Sequence, residues 1–183
     1  MAGRRRPLTG VLLVGGASRR FGTPKALARA GEETLAERGW RLLGDACDER
    51  LAVGKAGELD LPFPLVDDGT PVRVPVAGVL AGLRAAAHDT VVFLPVDCPL
   101  ATAELLRLLG DACRDAAFAA GEPLPGAWST RVLPLLERRF AAGDYGLRDA
   151  AAELDIARVD VDPALVADAD TPDELTHLLA GAP

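Results

Sequence analysis

No apolar run in the 183 residues approaches the roughly 20 that a membrane-spanning helix needs, so the chain is expected to make no membrane contact. The basic opening Gly3-Arg4-Arg5-Arg6 leads into Pro7 and a short strand-like run, without the apolar core of a secretory signal, and predicts a cytoplasmic protein. Cysteine is scarce. Cys47, Cys98 and Cys113 are odd in number and widely spaced, which excludes a disulfide framework and a C-x-x-C metal pair. Cys47 and Cys113 read as small buried hydrophobes, and Cys98 as packing. The two histidines, His88 and His177, lack metal-ligand spacing and read as helix-surface residues, and no Ser/His/Asp or Cys/His relay is present. Positive charge is also in deficit: 20 Lys and Arg face 27 Asp and Glu, for a formal charge of -7. That balance disfavours nucleic acid and anionic lipid as partners, so an anionic ligand must meet a local cluster of cations.

What is present is enough for a core. Hydrophobic residues make up 49% of the chain, with no repeat and no tract long enough to be a linker, and a single domain over residues 1–183 is expected. Short apolar runs bounded by Gly, Pro or Asp predict strands at residues 10–14, 50–53, 64–66, 90–96 and 156–161. Helical periodicity falls between them, around Leu35 to Leu43, Val79 to Ala87, Leu105 to Cys113, Arg131 to Ala142 and Asp173 to Leu179. The Gly/Pro-rich piece from Gly121 to Gly126 reads as a loop, and Trp40 and Trp128 as core or pocket wall. Strands alternating with helices imply an α/β fold with a mostly parallel sheet covered on both faces. In such sheets ligands sit beyond the carboxyl ends of the strands, so the residues just after each apolar run are the functional candidates.

Four stretches stand out at such places. After the first strand, Gly15-Gly16-Ala17-Ser18-Arg19-Arg20-Phe21-Gly22-Thr23-Pro24-Lys25 combines glycines with cations. Glycine lets backbone N–H groups approach a phosphate, while Arg and Lys neutralise it, so the stretch is either a triphosphate cradle or a glycine turn with solvated cations. It is neither a Walker A loop nor G-x-G-x-x-G. Residues 91–96 form an apolar strand that ends on Asp97, a carboxylate able to hold Mg²⁺ at the sheet edge; the competing use, capping the next helix, suits Thr102 better. In Asp168-Ala169-Asp170-Thr171-Pro172-Asp173-Glu174-Leu175, Thr171, Pro172 and Glu174 form a helix start with a capping box. That leaves Asp168 and Asp170, spaced to face the same way in an extended segment, as second metal carboxylates. Finally, Asp67-Asp68-Gly69 precedes Val74-Pro75-Val76-Ala77-Gly78, and a carboxylate there can accept from a guanine N–H edge or belong to a plain polar loop.

In this order, from Leu12 to Leu175, these residues resemble the nucleotidyltransferase family that includes molybdenum cofactor guanylyltransferase. The pattern L-x-G-G-x-S-x-R-x-G-x-x-K is matched by Leu13, Gly15, Gly16, Ser18, Arg20, Gly22 and Lys25; Arg19 falls outside it. Asp97 with Pro99 matches the strand-end aspartate, Asp68 aligns with the guanine-contacting aspartate with Asp67 as its neighbour, and residues 168–175 match N-x-N-T-P-E-[DE]-L. Pro125-Gly126-Ala127-Trp128 is similar to the P-x-x-A-L segment at the acceptor site, and residues 143–148 lie where an arginine-bearing segment is expected. The resemblance implies a Rossmann-like three-layer α/β/α sandwich of the nucleotide-diphospho-sugar transferase type and an Mg²⁺-dependent transfer of GMP from GTP to molybdopterin. It assigns nucleotide binding to Leu13, Gly15, Gly16, Ser18, Arg20, Lys25, Asp68 and Asp97, catalysis to Arg20, Lys25 and Asp97, and metal to Asp97 and Asp170, with Asp168 the alternative to Asp170. It also implies handover of the product to cofactor-delivery or acceptor enzymes. The chain departs from the guanylyltransferases at Pro24, where they often carry Asp, and at Val74, which replaces a glycine. Its D-x-D form of the late motif is similar to that of the related cytidylyltransferase. Cytidylyl transfer, a metal-dependent glycosyltransferase and a nucleotide-binding module without turnover remain the competing readings.

Overall fold

A computed structural model of the chain describes residues 5–15 and 21–181. It is an α/β sandwich around a seven-stranded sheet. The strands are β1 (Thr9–Leu13), β4 (Glu49–Gly54), β5 (Leu65–Asp67), β6 (Thr90–Pro95), β7 (Ala116–Ala119), β8 (Glu122–Ser129) and β9 (Ile156–Val159); β2 (Arg29–Ala30) and β3 (Glu33–Thr34) make a separate small hairpin. The sheet order is β5-β4-β1-β6-β8-β7-β9, parallel throughout except for β8, which runs antiparallel to both neighbours.

The helices are α1 (Leu35–Ala46), α2 (Pro75–Ala85), α3 (Ala103–Ala112), α4 (Leu133–Ala141), α5 (Leu147–Ala150) and α6 (Pro172–Ala180). They divide by the pleat. Leu12, Val92 and Leu94 pack on one face with Leu43 of α1, Leu106 of α3 and Leu175 of α6. Val11, Leu13, Val91 and Phe93 pack on the other with Val79 of α2, Leu136 of α4 and Leu147 of α5. Both faces of β1 and β6 are therefore covered, which is why these strands read as continuous apolar runs rather than alternating ones. Close helix contact needs small residues. A Cβ at Gly78 would stand 2.8 Å from Leu13 Cδ2, so glycine there lets the first turn of α2 lie directly on β1. No helix among the described residues is long and apolar enough to cross a membrane.

Three expectations need correction. Beyond the turn at Gly121, residues 122–126 are not a loop: Glu122–Ser129 is a strand, paired with β6 through residues 126–129. The prolines that argued for a loop sit where the pairing with β7 is irregular. Phe118 faces Gly126 and Ala119 faces Glu122, so residues 123–125 bulge out of the ladder and the N–H groups that Pro123 and Pro125 lack cost no β7 pairing. His88 lies in the bend after α2 rather than on a helix, because α2 ends at Ala85. Cys47, the residue after α1, is half-buried, whereas Cys98 and Cys113 are buried. Trp128 is fully buried core, with Phe118 against it at 5.3 Å between ring centroids. Trp40 stacks on Phe63 at 4.3 Å.

Candidate active site

The carboxyl ends of β1, β4 and β6 open onto a cleft of about 490 Å³, whose lining includes Gly15, Lys25, Lys55, Asp68, Asp97 and Asp170. It is the crevice the strand order demands: β1 and β6 are adjacent, and the chain runs on from β1 to β4 on one side of the pair and from β6 to β7 on the other.

One group of side chains in it is ionic. Lys25 Nζ donates to Asp97 Oδ2 at 2.9 Å and to Asp170 Oδ1 at 2.8 Å. Asp168 joins them, and one carboxylate oxygen from each of Asp97, Asp168 and Asp170 lies within 4.8 Å of the others. Local structure dictates this convergence. β6 is buried along its length and releases the chain into a turn, with Val96 N–H on Leu13 O and Cys98 N–H on Pro95 O, so Asp97 stands at the sheet edge. Asp97 is not spent on the next helix, because Thr102 caps α3 by accepting from Leu105 N at 3.2 Å. From the far end of the chain, Ala169 is buried and its N–H donates to Asp97 O at 2.9 Å, which pins the aspartates on either side of it. Thr171 caps α6 as expected, accepting from Glu174 N at 3.2 Å. The return bond differs from the expected capping box: Glu174 Oε2 accepts from Asp170 N at 2.7 Å, one residue earlier, and so fixes the backbone of Asp170 itself.

Three carboxylates this close suit a hard divalent cation, which takes oxygen ligands. Lys25 stands among them. Burial opposes its charge, but the hydrogen bonds to Asp170 and Asp97 outweigh that, and its pKa ends above the ordinary lysine value. A raised lysine pKa contributes stability that is complete below the unfolded value and fades only as pH rises through the folded one. Lys25 is therefore a full cation at neutral pH.

Asp68 and Asp67, adjacent in sequence, separate in space. Asp67 is turned to the backbone, where Oδ2 accepts from Ala56 N and Oδ1 from Gly69 N, both at 2.7 Å, and these bonds hold its carboxyl below the usual range. Asp68 lines the cleft and pairs with Lys55, Nζ to Oδ1 2.6 Å. Lys55 was not among the candidates from sequence. It directly follows β4, so the strand-end rule applied to β1 and β6 reaches it as well. Leu13 and Gly15 line the cleft, whereas Gly16, Ser18 and Arg20 lie outside the described residues. The β8 bulge adds Glu122 and Leu124 to the wall.

The thiols take no visible part in this chemistry. Burial pushes Cys47 up to about 12 and Cys113 up to about 11, and raises Cys98, beside Asp97, further still. At about pH 8 iodoacetamide should leave Cys98 and Cys113 unmodified in the native protein and alkylate all three cysteines in guanidinium, as read by peptide mass spectrometry. Rapid native labelling of Cys98 would show that it is accessible as thiolate and reopen a role for it.

A family model described as the MobA-like NTP transferase domain matches residues 10–159. A protein of Chloroflexus aggregans named a probable molybdenum cofactor guanylyltransferase is 34% identical over 161 residues, covering 80% of this chain and 77% of its own. Among solved structures, molybdopterin-guanine dinucleotide biosynthesis protein A from Archaeoglobus fulgidus superposes with a TM-score of 0.76 at 22% identity, covering 94% of this chain and 97% of its own. The 2-C-methyl-D-erythritol 4-phosphate cytidylyltransferase of Thermus thermophilus superposes with a TM-score of 0.72 at 23% identity, covering 93% and 97%. At these identities the two structures speak to the fold alone.

Proposed function

This chain belongs to the MobA-like NTP transferase domain family, and from that premise we propose that it transfers GMP from GTP to the phosphate of molybdopterin, with release of pyrophosphate. The guanylyltransferase name carried by a relative alike over most of both chains supports the substrate pair. The observation that carries the chemistry is the meeting of Lys25 with Asp97, Asp168 and Asp170 in the same cleft as Asp68.

In the proposed reaction an oxygen of the acceptor's phosphate forms a bond to the α-phosphorus of GTP. The bond from that phosphorus to the bridging oxygen breaks, and pyrophosphate leaves with the electron pair. The acceptor oxygen is already anionic, so no strong base is required, and catalysis is positioning plus neutralisation of charge. Lys25 and the backbone N–H of Gly15 bind the triphosphate, together with Gly16, Ser18 and Arg20. Asp97, with Asp170 or Asp168, holds Mg²⁺, which when bound supplies positive charge to the phosphate oxygens. Asp68 accepts hydrogen bonds from the guanine N–H edge.

Thermal melting with GTP, CTP, ATP or UTP, each with Mg²⁺, tests the base, because a ligand that binds only the native state raises its stability. GTP is expected to give the largest shift, and a clear preference for CTP would assign cytidylyl transfer instead. Pyrophosphate formed from GTP and molybdopterin tests the chemistry, since a glycosyltransferase releases a nucleoside diphosphate. Turnover indifferent to Mg²⁺ would sink the metal assignment.

A further inference from the structure

We infer that Lys55 is a positioning residue for base recognition: it holds Asp68 so that one defined oxygen is left to meet the base, and thereby sets discrimination between purine edges. The inference rests on the guanylyl reading above. A lysine in a nucleotide cleft invites assignment to phosphate, but the geometry leaves Lys55 nothing to offer one. Its ammonium has three N–H groups. One goes to Asp68 Oδ1 at 2.6 Å, one to Val72 O at 3.1 Å and one to Thr70 O. The side chain is 13% exposed and that of Asp68 8%, so the pair is largely withdrawn from water.

Two consequences follow for Asp68. First, its Oδ1 is filled, since it accepts from Lys55 and also from Thr70 N at 3.2 Å. Oδ2 accepts no hydrogen bond from any described residue, so it is the acceptor this carboxylate offers to the cleft it lines. Second, a carboxylate this withdrawn from water needs its counter-charge beside it. Without the ammonium, the side chain gains by rotating toward water, and that change spoils it as an acceptor. Lys55 also ties the carbonyls of residues 70 and 72 to the end of β4, so the segment leading into α2 is fixed by the same three bonds.

The test is calorimetric binding of GTP and of ITP, with Mg²⁺ and without acceptor. ITP is the GTP analogue whose base lacks the 2-amino group, so the ratio of the two affinities reports on that part of the N–H edge and not on the triphosphate. Wild type is expected to favour GTP by about tenfold or more, the effect of one hydrogen bond to a buried charged acceptor. In Lys55→Met the ratio should fall to near one, with ITP, which keeps N1–H but lacks the 2-amino group, losing less affinity than GTP. Lys55→Gln keeps N–H groups for the two carbonyls but not the charge, and should lose the ratio as well; it carries the test if the Met variant does not fold. Adding Lys55→Met to Asp68→Asn should lower the ratio no further than Asp68→Asn alone. An unchanged GTP/ITP ratio in the Lys55 variants overturns the inference. So does an equal loss for both nucleotides, which is what damage to the loop alone would give. A wild-type protein with no GTP/ITP preference would instead strike at the guanine reading itself.

Discussion

Asp97→Asn is expected to lower nucleotidyl transfer by on the order of 10²–10³-fold or more, with melting little changed. The amide has the size of the carboxylate and can still accept from Lys25, so the local packing survives the exchange. What it lacks is negative charge at the one position where the end of β6, Lys25 and the 168–170 segment all meet. The fold has no need of that charge. α3 is capped by Thr102, and the bond from Ala169 N is received by the backbone carbonyl of Asp97, not its side chain. Pyrophosphate release, with circular-dichroism melting beside it, separates the two effects. Turnover near that of wild type would remove Asp97 from the chemistry.

Lys25→Met should produce a comparable loss of turnover together with a gain that no general loss of structure would give. The Lys25 ammonium lies 2.9 Å from Asp97 Oδ2 and 2.8 Å from Asp170 Oδ1, among oxygens that would coordinate a divalent cation. A cation so placed competes with the metal, and its pKa above the ordinary lysine value keeps it charged. Titration with Mn²⁺ in the absence of nucleotide, followed by electron paramagnetic resonance, is expected to show tighter binding to Lys25→Met by roughly an order of magnitude. Mn²⁺ affinity equal to or below that of wild type would mean that the ammonium does not stand in the metal's way. The paired result, weaker catalysis and stronger metal binding, would show that Lys25 serves turnover and also competes with a metal for the carboxylates.

The parts of this architecture set by uninterrupted apolar runs could be read from sequence. β1 and β6 announce themselves because both faces are covered, and their ends led to Lys25 and Asp97. The late aspartates were legible because the capping by Thr171 accounted for its own neighbours and left Asp168 and Asp170 over. β7 and β8 were missed for a physical reason: Ala116–Ala119 is too poor in branched side chains to stand out from an alanine-rich chain, and the β8 bulge hides Pro123 and Pro125 within a strand. The residue types alone did not separate Asp67 from Asp68, and only the resemblance favoured Asp68; what distinguishes them in space is that the backbone of Ala56 and Gly69 captures Asp67. Lys55 follows a strand end, as Asp97 does, but no motif surrounds it in sequence, and its three partners are 13 to 17 residues away.

The hydrogen bond from Ala169 N to Asp97 O has a further consequence for synthesis on the ribosome. Lys25 and Asp170 are separated by 145 positions, and the family match ends at residue 159, before either late aspartate. A nascent chain that has exposed everything through β9 already owns the whole sheet, yet only one of the three carboxylates. The proposed site for nucleotide and metal is therefore incomplete on a partly made chain, and its carboxylates come together as the last stretch folds back across β6.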